Sequence, residues 1–274
     1  MSKKSKTHQQ NFLVDIAILA AGVIDPAIFE KCLASCWNES KNTQSKIYVY
    51  RDGVPPETKD AYAEILKKYP VSISQSSDSR GYPHGANRAI RSGNSPLVLF
   101  VSDDVVLHEG SLKKLISRMD DPSIGICGLK LLFPQESTDP GRPAGRVQHI
   151  GHGVDIRGEV VHPLLGWRPE HPKCNISRDV ISVTGATFMV RRKTFNQING
   201  FWEGYGKGYF EDVDMCLEIR KLGQRVFIDA SATATHYTGS TFIKRNEPTP
   251  LEQNKMIFRS RKGSSLIHTS WEFW

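Results

Sequence analysis

Through about residue 105, short apolar runs alternate with segments whose apolar residues recur at the spacing of an α-helix. The run Leu13–Ala20 is continuous and rich in Ile, Leu and Val, which predicts a strand covered on both faces. Asp25 and Pro26 then predict the start of a helix. This alternation predicts an α/β fold with a parallel, doubly wound sheet, whose ligands bind beyond the carboxyl ends of the strands.

The other predicted elements extend the same pattern less regularly. In the first half they are strands at Lys46–Tyr50, Val71–Ser74 and Leu97–Val101, and helices at Glu57–Tyr69 and Ala86–Arg91, the last ended by Gly93. In the second half they are strands at Ile124–Phe133, Ile181–Val190 and Arg225–Asp229, and a helix at Glu211–Leu222 ended by Gly223. Residues 134–179 hold many Gly, Pro, His and Arg residues, which predicts short strands and a mobile segment facing the substrate.

Composition excludes several classes of protein. The chain has 274 residues, of which 39% are apolar and 24% charged, so global disorder and a fibrous architecture are both excluded. The net charge of +7 raises the question of a polyanionic partner such as nucleic acid. Residues 1–14 contribute +3 and residues 244–274 another +3, which leaves +1 for the body. The basic charge therefore belongs mainly to the two ends.

Cysteine usage and apolar runs bear on location. The five cysteines form no CxxC pair, so neither a disulfide framework nor a zinc ribbon is indicated, and we expect reduced thiols in a cytoplasmic protein. The apolar run Ile16–Ile24 is too short to span a membrane, and the preceding Asp15 argues against a secretion signal. Peripheral attachment to a membrane stays open, because apolar residues follow Phe242. Packing of these residues on the core is the favoured interpretation.

Acidic residues mark two places where chemistry is expected. Asp103 and Asp104 end an apolar strand, and adjacent carboxylates there indicate a metal or proton site, although a solvated turn is the alternative. Glu211 and Asp212 follow a run rich in glycine and aromatic residues, but acids in a first helical turn also complement the helix dipole. His236 is either a metal ligand or a packed histidine.

The order and spacing of these segments resemble glycosyltransferase family 2, the inverting, nucleotide-sugar-dependent transferases of GT-A fold. The segments that carry the resemblance are Tyr50-Arg51-Asp52-Gly53, Arg80–Asn87, Ser102-Asp103-Asp104, Val183–Arg192, Gly200-Phe201, Glu211–Asp214 and Ala232–His236. The resemblance implies a GT-A fold, with a Rossmann-like, mostly parallel central sheet flanked by helices. It also implies a transferase domain at 11–242, in which 11–105 bind the nucleotide sugar and 106–242 the acceptor. A disordered basic tail at 1–10 and an extension at 243–274 are expected outside this domain.

The resemblance also implies roles for individual residues. The nucleotide sugar would contact Asp52, Arg80, Asn87 and Asp103, with Asp103 directed at the ribose or a metal-bound water. The metal would be held by Asp104 and His236. Asp104 is the expected carboxylate ligand, because Ser102 stands where the DXD motif has its first acid. Asp212 is the expected general base, with Glu211 in reserve, and Trp202 and Tyr209 would face the acceptor.

The implied function is the transfer of a sugar from a UDP-, GDP- or dTDP-sugar to an acceptor hydroxyl on a glycan or glycoconjugate, assisted by Mn²⁺ or Mg²⁺. Two alternatives stay open. The acceptor could be a hydroxylated base in DNA, which the basic charge would suit. The chain could also be a non-catalytic module that binds a nucleotide sugar or a glycan, which the serine at position 102 suggests. The sequence does not fix the oligomeric state.

Overall fold

A computed structural model of the chain describes residues 13–238 and 248–266. The expected tail at 1–10 and the apolar residues from Ile267 to Trp274 lie outside the described residues. Strands are found at β1 Val14–Ala20, β2 Ser45–Asp52, β3 Ser72–Ser76, β4 Leu97–Ser102, β5 Val105–Leu107, β6 Ile124–Leu132, β7 Val147–His149, β8 Gly153–Val154, β9 Val160–Val161, β10 Arg178–Asp179, β11 Thr187–Arg191 and β12 Arg225–His236. Helices are found at α1 Pro26–Ser40, α2 Pro56–Lys67, α3 Tyr82–Ala89, α4 Ser111–Arg118, α5 Arg192–Gln197, α6 Glu211–Lys221 and α7 Leu251–Leu266.

The main sheet of the described residues runs in the order β10-β12-β6-β11-β4-β1-β2-β3, with β5 paired to β12 and β7 to β6. The pairings of β1 with β2 and β4, of β2 with β3 and of β6 with β12 are parallel. Only β8 and β9 of the described strands form a separate, two-stranded sheet. Helices pack on the sheet, so the expected doubly wound α/β architecture is present.

Local sequence explains how the first elements form. All seven residues of β1 are buried, and six of them are apolar, as expected for a strand between two layers of helices; the exception is Asp15. The Asp25 side chain accepts a hydrogen bond of 2.9 Å from the Ala27 amide, and Pro26 begins α1, so the predicted helix start is confirmed. On the inner face of α1, Phe29 stacks on Tyr62 of α2 at a centroid distance of 4.2 Å.

Several predicted boundaries are wrong. Helix α3 begins at Tyr82 rather than Ala86, because Gly81 adopts a φ of +99° and Pro83 suits the first helical turn. Gly93 is extended, with a φ of −133°, and does not end the helix in a left-handed conformation. The strand predicted at Ile181–Val190 is formed only from Thr187 onward. The last strand continues past Asp229 to His236 through an irregularity in its pairing with β6.

Strand β11 joins the two halves of the chain. It lies between β4 and β6 and pairs antiparallel with both. Consequently, the described strands of the first half and those of the second, apart from β8 and β9, form one sheet that continues across residue 105. The core clusters of buried apolar residues likewise draw on both halves.

The C-terminal helix α7 packs on the second half. Phe258 is buried and stacks on Phe210 at 5.0 Å, while Asn254 donates hydrogen bonds to the carbonyls of Tyr205 and Gly208. Met256, by contrast, is 72% exposed. The described part of this extension therefore packs on the body of the protein. Among the described residues, no helix combines the length and the apolar content needed to cross a membrane.

A buried ion pair locks the start of the sheet to the second half. Asp15 accepts hydrogen bonds from the Ser95 amide at 2.8 Å and the Ser95 hydroxyl at 2.6 Å. The Arg192 guanidinium donates to the same carboxylate at 2.5 Å. The Asp15 side chain is 3% exposed and that of Arg192 is 15% exposed. Because both are largely removed from water, each charge needs the other to compensate for its lost hydration.

We expect Asp15→Ala to lower the free energy of unfolding by about 3–5 kcal/mol, because it leaves the Arg192 charge and the Ser95 donors buried without their acceptor. Urea denaturation followed by circular dichroism would measure this loss. Asp120→Ala is the matched control, since Asp120 is exposed. A loss below about 1 kcal/mol for Asp15→Ala would contradict the assignment.

Candidate active site

The carboxyl ends of β1, β2 and β4 and the loop before α6 enclose a pocket of about 600 Å³. Ligand pockets of this kind are expected at that edge of an open α/β sheet. Seven of the residues singled out in the sequence line it: Asp52, Asp103, Asp104, Tyr209, Glu211, Asp212 and His236. The fold therefore brings together acids that are far apart in the chain.

On one side of the pocket, a carboxylate faces an imidazole. His236 Nε2 lies 3.3 Å from Asp104 Oδ1, and the Tyr237 amide donates to the Asp104 carbonyl at 3.0 Å. Strand β12 ends at His236, and its pairing with β5 sets His236 opposite Val105, the residue after Asp104. The sheet itself thus positions this pair.

Gln148 determines which nitrogen of His236 carries the proton. Its side-chain amide nitrogen donates to the His236 carbonyl at 3.1 Å, which directs its oxygen to His236 Nδ1 at 2.7 Å. Because that oxygen only accepts, Nδ1 carries the proton of the neutral ring and Nε2 presents a lone pair.

A lone pair and a carboxylate oxygen 3.3 Å apart repel unless a proton or a metal cation lies between them. One carboxylate oxygen and one imidazole nitrogen form a donor set that suits a divalent cation such as Mn²⁺. The residues present therefore fit the metal site that was expected at Asp104 and His236.

Asp103 is more enclosed than its neighbour. Its Oδ2 accepts hydrogen bonds from the Gly22 amide at 3.2 Å and the Tyr62 hydroxyl at 3.4 Å. Burial, followed by the charge of Asp104, raises the pKa of Asp103 to about 7. These contacts leave Asp104, rather than Asp103, facing His236.

Asp52 forms the floor of the pocket beside β2. It is 2% exposed, and its carboxylate accepts hydrogen bonds from the Ser79 hydroxyl at 2.6 Å and the Ser76 hydroxyl at 3.4 Å. Gly85 of α3 lies so close that a Cβ there would stand 2.7 Å from the Leu19 side chain and 3.3 Å from the Asp52 carboxylate. A side chain at position 85 would therefore displace the end of the Leu19 side chain and press on the Asp52 carboxylate.

On the other side of the pocket, Glu211 and Asp212 begin helix α6. Tyr209 and Phe210 before them have φ values of +75° and +70°, an uncommon left-handed pair that turns the chain sharply into the helix. Asp212 accepts hydrogen bonds from the Gly185 amide at 2.9 Å and the Val213 amide at 2.8 Å. Among the described residues, Glu211 Oε2 is buried without a hydrogen-bond partner.

The two acids therefore differ in their environments. Burial, followed by the charge of Asp212, raises the pKa of Glu211 to about 8. Burial also raises the pKa of Asp212, whereas its two backbone donors oppose this rise. Amide donors stabilise an ionised carboxylate, so the negative charge of the pair resides on Asp212 and the proton on Glu211.

A cluster of three histidines borders the acidic pair. The rings of His149, His152 and His162 lie 4.5–5.2 Å apart between centroids. The Thr184 amide donates to His149 Nε2 at 3.1 Å, so His149 carries its proton on Nδ1, which lies 3.2 Å from His162 Nδ1. Burial lowers the pKa of His152 to about 4, and desolvation also lowers the pKa of the more exposed His162, so both are neutral at pH 7.

These nitrogens could geometrically approach one metal ion, but the Thr184 contact argues against it. A metal on His149 Nδ1 would require a proton on Nε2, where it would face the Thr184 N–H group. We therefore assign the cluster as a hydrogen-bonded set of neutral imidazoles.

Three predicted site residues do not line this pocket. Asn87 is buried and bonds to the backbone of Phe201 in both directions at 2.9 Å, so it supports the loop rather than facing the cleft. The Trp202 ring is covered by the Arg261 guanidinium at 3.7 Å. Arg80 lines a separate groove, where it contacts His84.

Other pocket residues were not singled out for a role from the sequence. The Tyr82 hydroxyl donates to the Gly185 carbonyl, and the Gly185 amide holds Asp212. His152 and His162 also line the pocket, as does Leu251 of α7. Histidine and glycine are abundant between residues 147 and 166, and this feature of the sequence could have indicated that histidines line the pocket.

Sequence comparison finds curated relatives. The chain is 32% identical over 168 residues to the O-antigen biosynthesis protein RfbC of Myxococcus xanthus, covering 58% of this chain and 12% of that protein. It is 26% identical over 180 residues to the uncharacterized protein y4gI of Sinorhizobium fredii, covering 63% of this chain and 19% of that protein. It is 25% identical over 167 residues to the rhamnosyltransferase WbbL of Escherichia coli, covering 57% and 61%. The matched region thus spans less than two thirds of each of these relatives.

Solved structures share the fold at low sequence identity. GalNAc-T7 with UDP, GalNAc and Mn²⁺ superposes with a TM-score of 0.68 at 11% identity, covering 92% of this chain and 48% of that chain. The mannosyltransferase PcManGT from Pyrobaculum calidifontis, in complex with GDP-Man and Mn²⁺, superposes with a TM-score of 0.59 at 12% identity. This match covers 86% of this chain and 61% of that chain. The expected GT-A fold is thereby confirmed.

The family comparison covers most of the chain. The model described as "Glycosyltransferase like family 2" matches residues 15–247, which include both acidic groups of the pocket. On this evidence the chain belongs to glycosyltransferase-like family 2.

Proposed function

We propose that this protein is an inverting glycosyltransferase that moves a sugar from a nucleoside-diphosphate sugar to a hydroxyl group of a glycan or glycoconjugate, with a divalent cation bound at Asp104 and His236. The observation that carries the proposal is the composition of one pocket. Asp104 and His236 line it, and their carboxylate and imidazole groups fit a cation. Glu211 and Asp212 line it too, and of these two acids Asp212 is ionised.

On the donor side, Asp52 and Asp103 bind the nucleoside portion. Asp52 retains its orientation through the Ser79 hydroxyl, and Asp103 through the Gly22 amide. When bound at Asp104 and His236, a divalent cation supplies charge stabilisation for the departing diphosphate. Gln148 keeps the lone pair of His236 directed at that position.

On the acceptor side, Asp212 takes the proton from the acceptor hydroxyl as the oxygen attacks the anomeric carbon in line with the departing diphosphate. One displacement of this kind inverts the anomeric centre. The Gly185 amide fixes the orientation of Asp212, and the protonated Glu211 beside it adds no second negative charge. Tyr209 contributes a partly exposed ring to the same wall of the pocket, where a sugar ring can stack.

The relatives support this choice of substrates. RfbC carries the name of an O-antigen biosynthesis protein and WbbL that of a rhamnosyltransferase, which favours a glycan acceptor. The two solved structures hold UDP or GDP-Man with Mn²⁺, which favours a nucleotide-sugar donor and Mn²⁺. The five cysteines are free and buried, which supports a cytoplasmic location.

We expect Asp212→Asn to lower the rate of sugar transfer by about 10²–10⁴-fold, because the amide cannot accept the acceptor's proton. Calorimetric binding of the donor with Mn²⁺ should stay within about twofold of the unsubstituted protein. Asp60→Asn, an exposed change on α2, is the control. Normal turnover by Asp212→Asn would remove this residue from the mechanism, and nucleotide-sugar binding without transfer by the unsubstituted protein would indicate a binding module instead.

Gln148→Ala should weaken Mn²⁺ binding about 10–100-fold, because His236 loses the partner that directs Nε2 toward Asp104. Electron paramagnetic resonance of free Mn²⁺ during titration measures this directly. Gln75→Ala is the matched control, since Gln75 is an exposed glutamine of β3 outside the pocket. Equal Mn²⁺ affinities for Gln148→Ala and the unsubstituted protein would contradict the assigned tautomer.

Glu211→Gln should stabilise the fold at pH 9 by a few kcal/mol and have little effect at pH 5. The pKa of Glu211 is raised to about 8 in the folded state, above its ordinary value of 4.5, so the folded state binds the proton more tightly than the unfolded state. The stability of the unsubstituted protein therefore falls as pH rises from about 4.5 to 8 through this group, and Gln removes that loss. Denaturant midpoints at the two pH values test this, and a pH-independent difference would contradict it.

A further inference from the structure

A second groove lies between helix α3 and the edge strand β3. It has a volume of about 500 Å³ and shares no lining residue with the active-site pocket. Hydroxyl groups of Ser74, Ser76 and Ser92 border it on the side of the strand and the turn after α3. None of the roles proposed above for the transferase uses this groove.

Three arginines give the groove a positive charge. Arg80, Arg88 and Arg91 line it and are exposed, and none of them forms an ion pair within the described ranges 13–238 and 248–266. The acid that lines the groove is Asp78, whose Oδ1 accepts a hydrogen bond of 2.7 Å from the Ser77 hydroxyl. The three guanidinium charges therefore exceed the carboxylate charge by two.

His84 lies beside Arg80 at the wall of the groove, and its Nδ1 is shielded from solvent. Arg80 Nη1 lies 3.2 Å from His84 Nε2, and because a guanidinium only donates, Nε2 accepts and the proton resides on Nδ1. His84 is 7% exposed, and no described protein atom accepts a hydrogen bond from Nδ1. Buried donors without an acceptor are rare in folded proteins.

The groove thus offers three guanidinium groups beside serine hydroxyls, with a net charge of about +2. Phosphate oxygens accept several hydrogen bonds at once, and the planar fork of arginine matches their geometry. A phosphate dianion would balance this charge and accept hydrogen bonds from the exposed guanidinium groups. We propose that this groove binds a phosphate group, carried either by a free phosphate or by the headgroup of a phospholipid.

Calorimetric titration of the full chain with inorganic phosphate and with pyrophosphate tests the proposal. A chelator keeps divalent metal out of the active site, and no nucleotide sugar is present, so the result is independent of the proposed transferase function. We expect the unsubstituted protein to bind and Arg88→Gln with Arg91→Gln to weaken binding at least about tenfold. Both positions are exposed, so the fold is retained.

The matched control removes the same charge elsewhere. Lys113→Gln with Lys193→Gln, both exposed and outside the groove, should leave the affinity within about twofold. Nitrogen-15 spectra of the histidine rings provide a second readout, because phosphate bound to the Arg80 guanidinium should shift the Nε2 signal of His84, which lies 3.2 Å from Arg80 Nη1. Equal binding by the two double variants, or phosphate binding that leaves the His84 signal unchanged, would overturn the proposal.

Sedimentation with vesicles distinguishes the two sources of phosphate. Phosphatidylglycerol vesicles should retain the unsubstituted protein but not the arginine double variant if the ligand is a headgroup, with phosphatidylcholine vesicles as the reference. Binding of free phosphate without retention on either vesicle indicates a soluble ligand. Absence of binding to free phosphate, pyrophosphate and phosphatidylglycerol vesicles together would overturn the proposal.

Discussion

The insertion of β11 between β4 and β6 is the interaction on which the rest of this structure depends. Its antiparallel hydrogen bonds join the early parallel strands to the late ones. Gly185, two residues before the strand, donates to Asp212, and Arg192, just after it, neutralises Asp15. The residues that flank this short strand thus hold Asp212 and the start of the sheet in place.

The ionisable side chains that line the pocket differ in charge because each has different neighbours. Backbone amides hold Asp212 in its ionised form, whereas burial and the charge of Asp212 keep a proton on Glu211. The pKa values of the neighbouring His152 and His162 are lowered, so both rings are neutral at pH 7. Asp104 instead lies 3.3 Å from Nε2 of His236, and this carboxylate and imidazole pair has a composition that fits a cation. Two kinds of chemistry can therefore operate within about 600 Å³.

The sequence predicted the elements whose pattern is local. The continuous apolar run of β1 and the Asp25-Pro26 start of α1 are found as expected, because neighbouring residues decide them. The strand predicted at Ile181–Val190 begins only at Thr187. The apolar residues there do not reveal that the Gly185 amide is directed at Asp212 before the strand begins. Motifs also do not encode side-chain direction. Arg80 and Trp202 belong to recognisable segments, yet one lines another groove and the other lies beneath Arg261.

The position of β11 has a consequence for synthesis of the chain. Strand β4 is complete at residue 102 and β6 at residue 132, but the strand that separates them begins only at Thr187. Until that residue has emerged from the ribosome, the apolar β4 has an unpaired edge, and β6 also lacks β12. Exposed edges of this kind invite pairing with other chains, and strand pairs distant in sequence form slowly. The nascent chain therefore passes through a period of aggregation risk that ends when β11 enters the sheet.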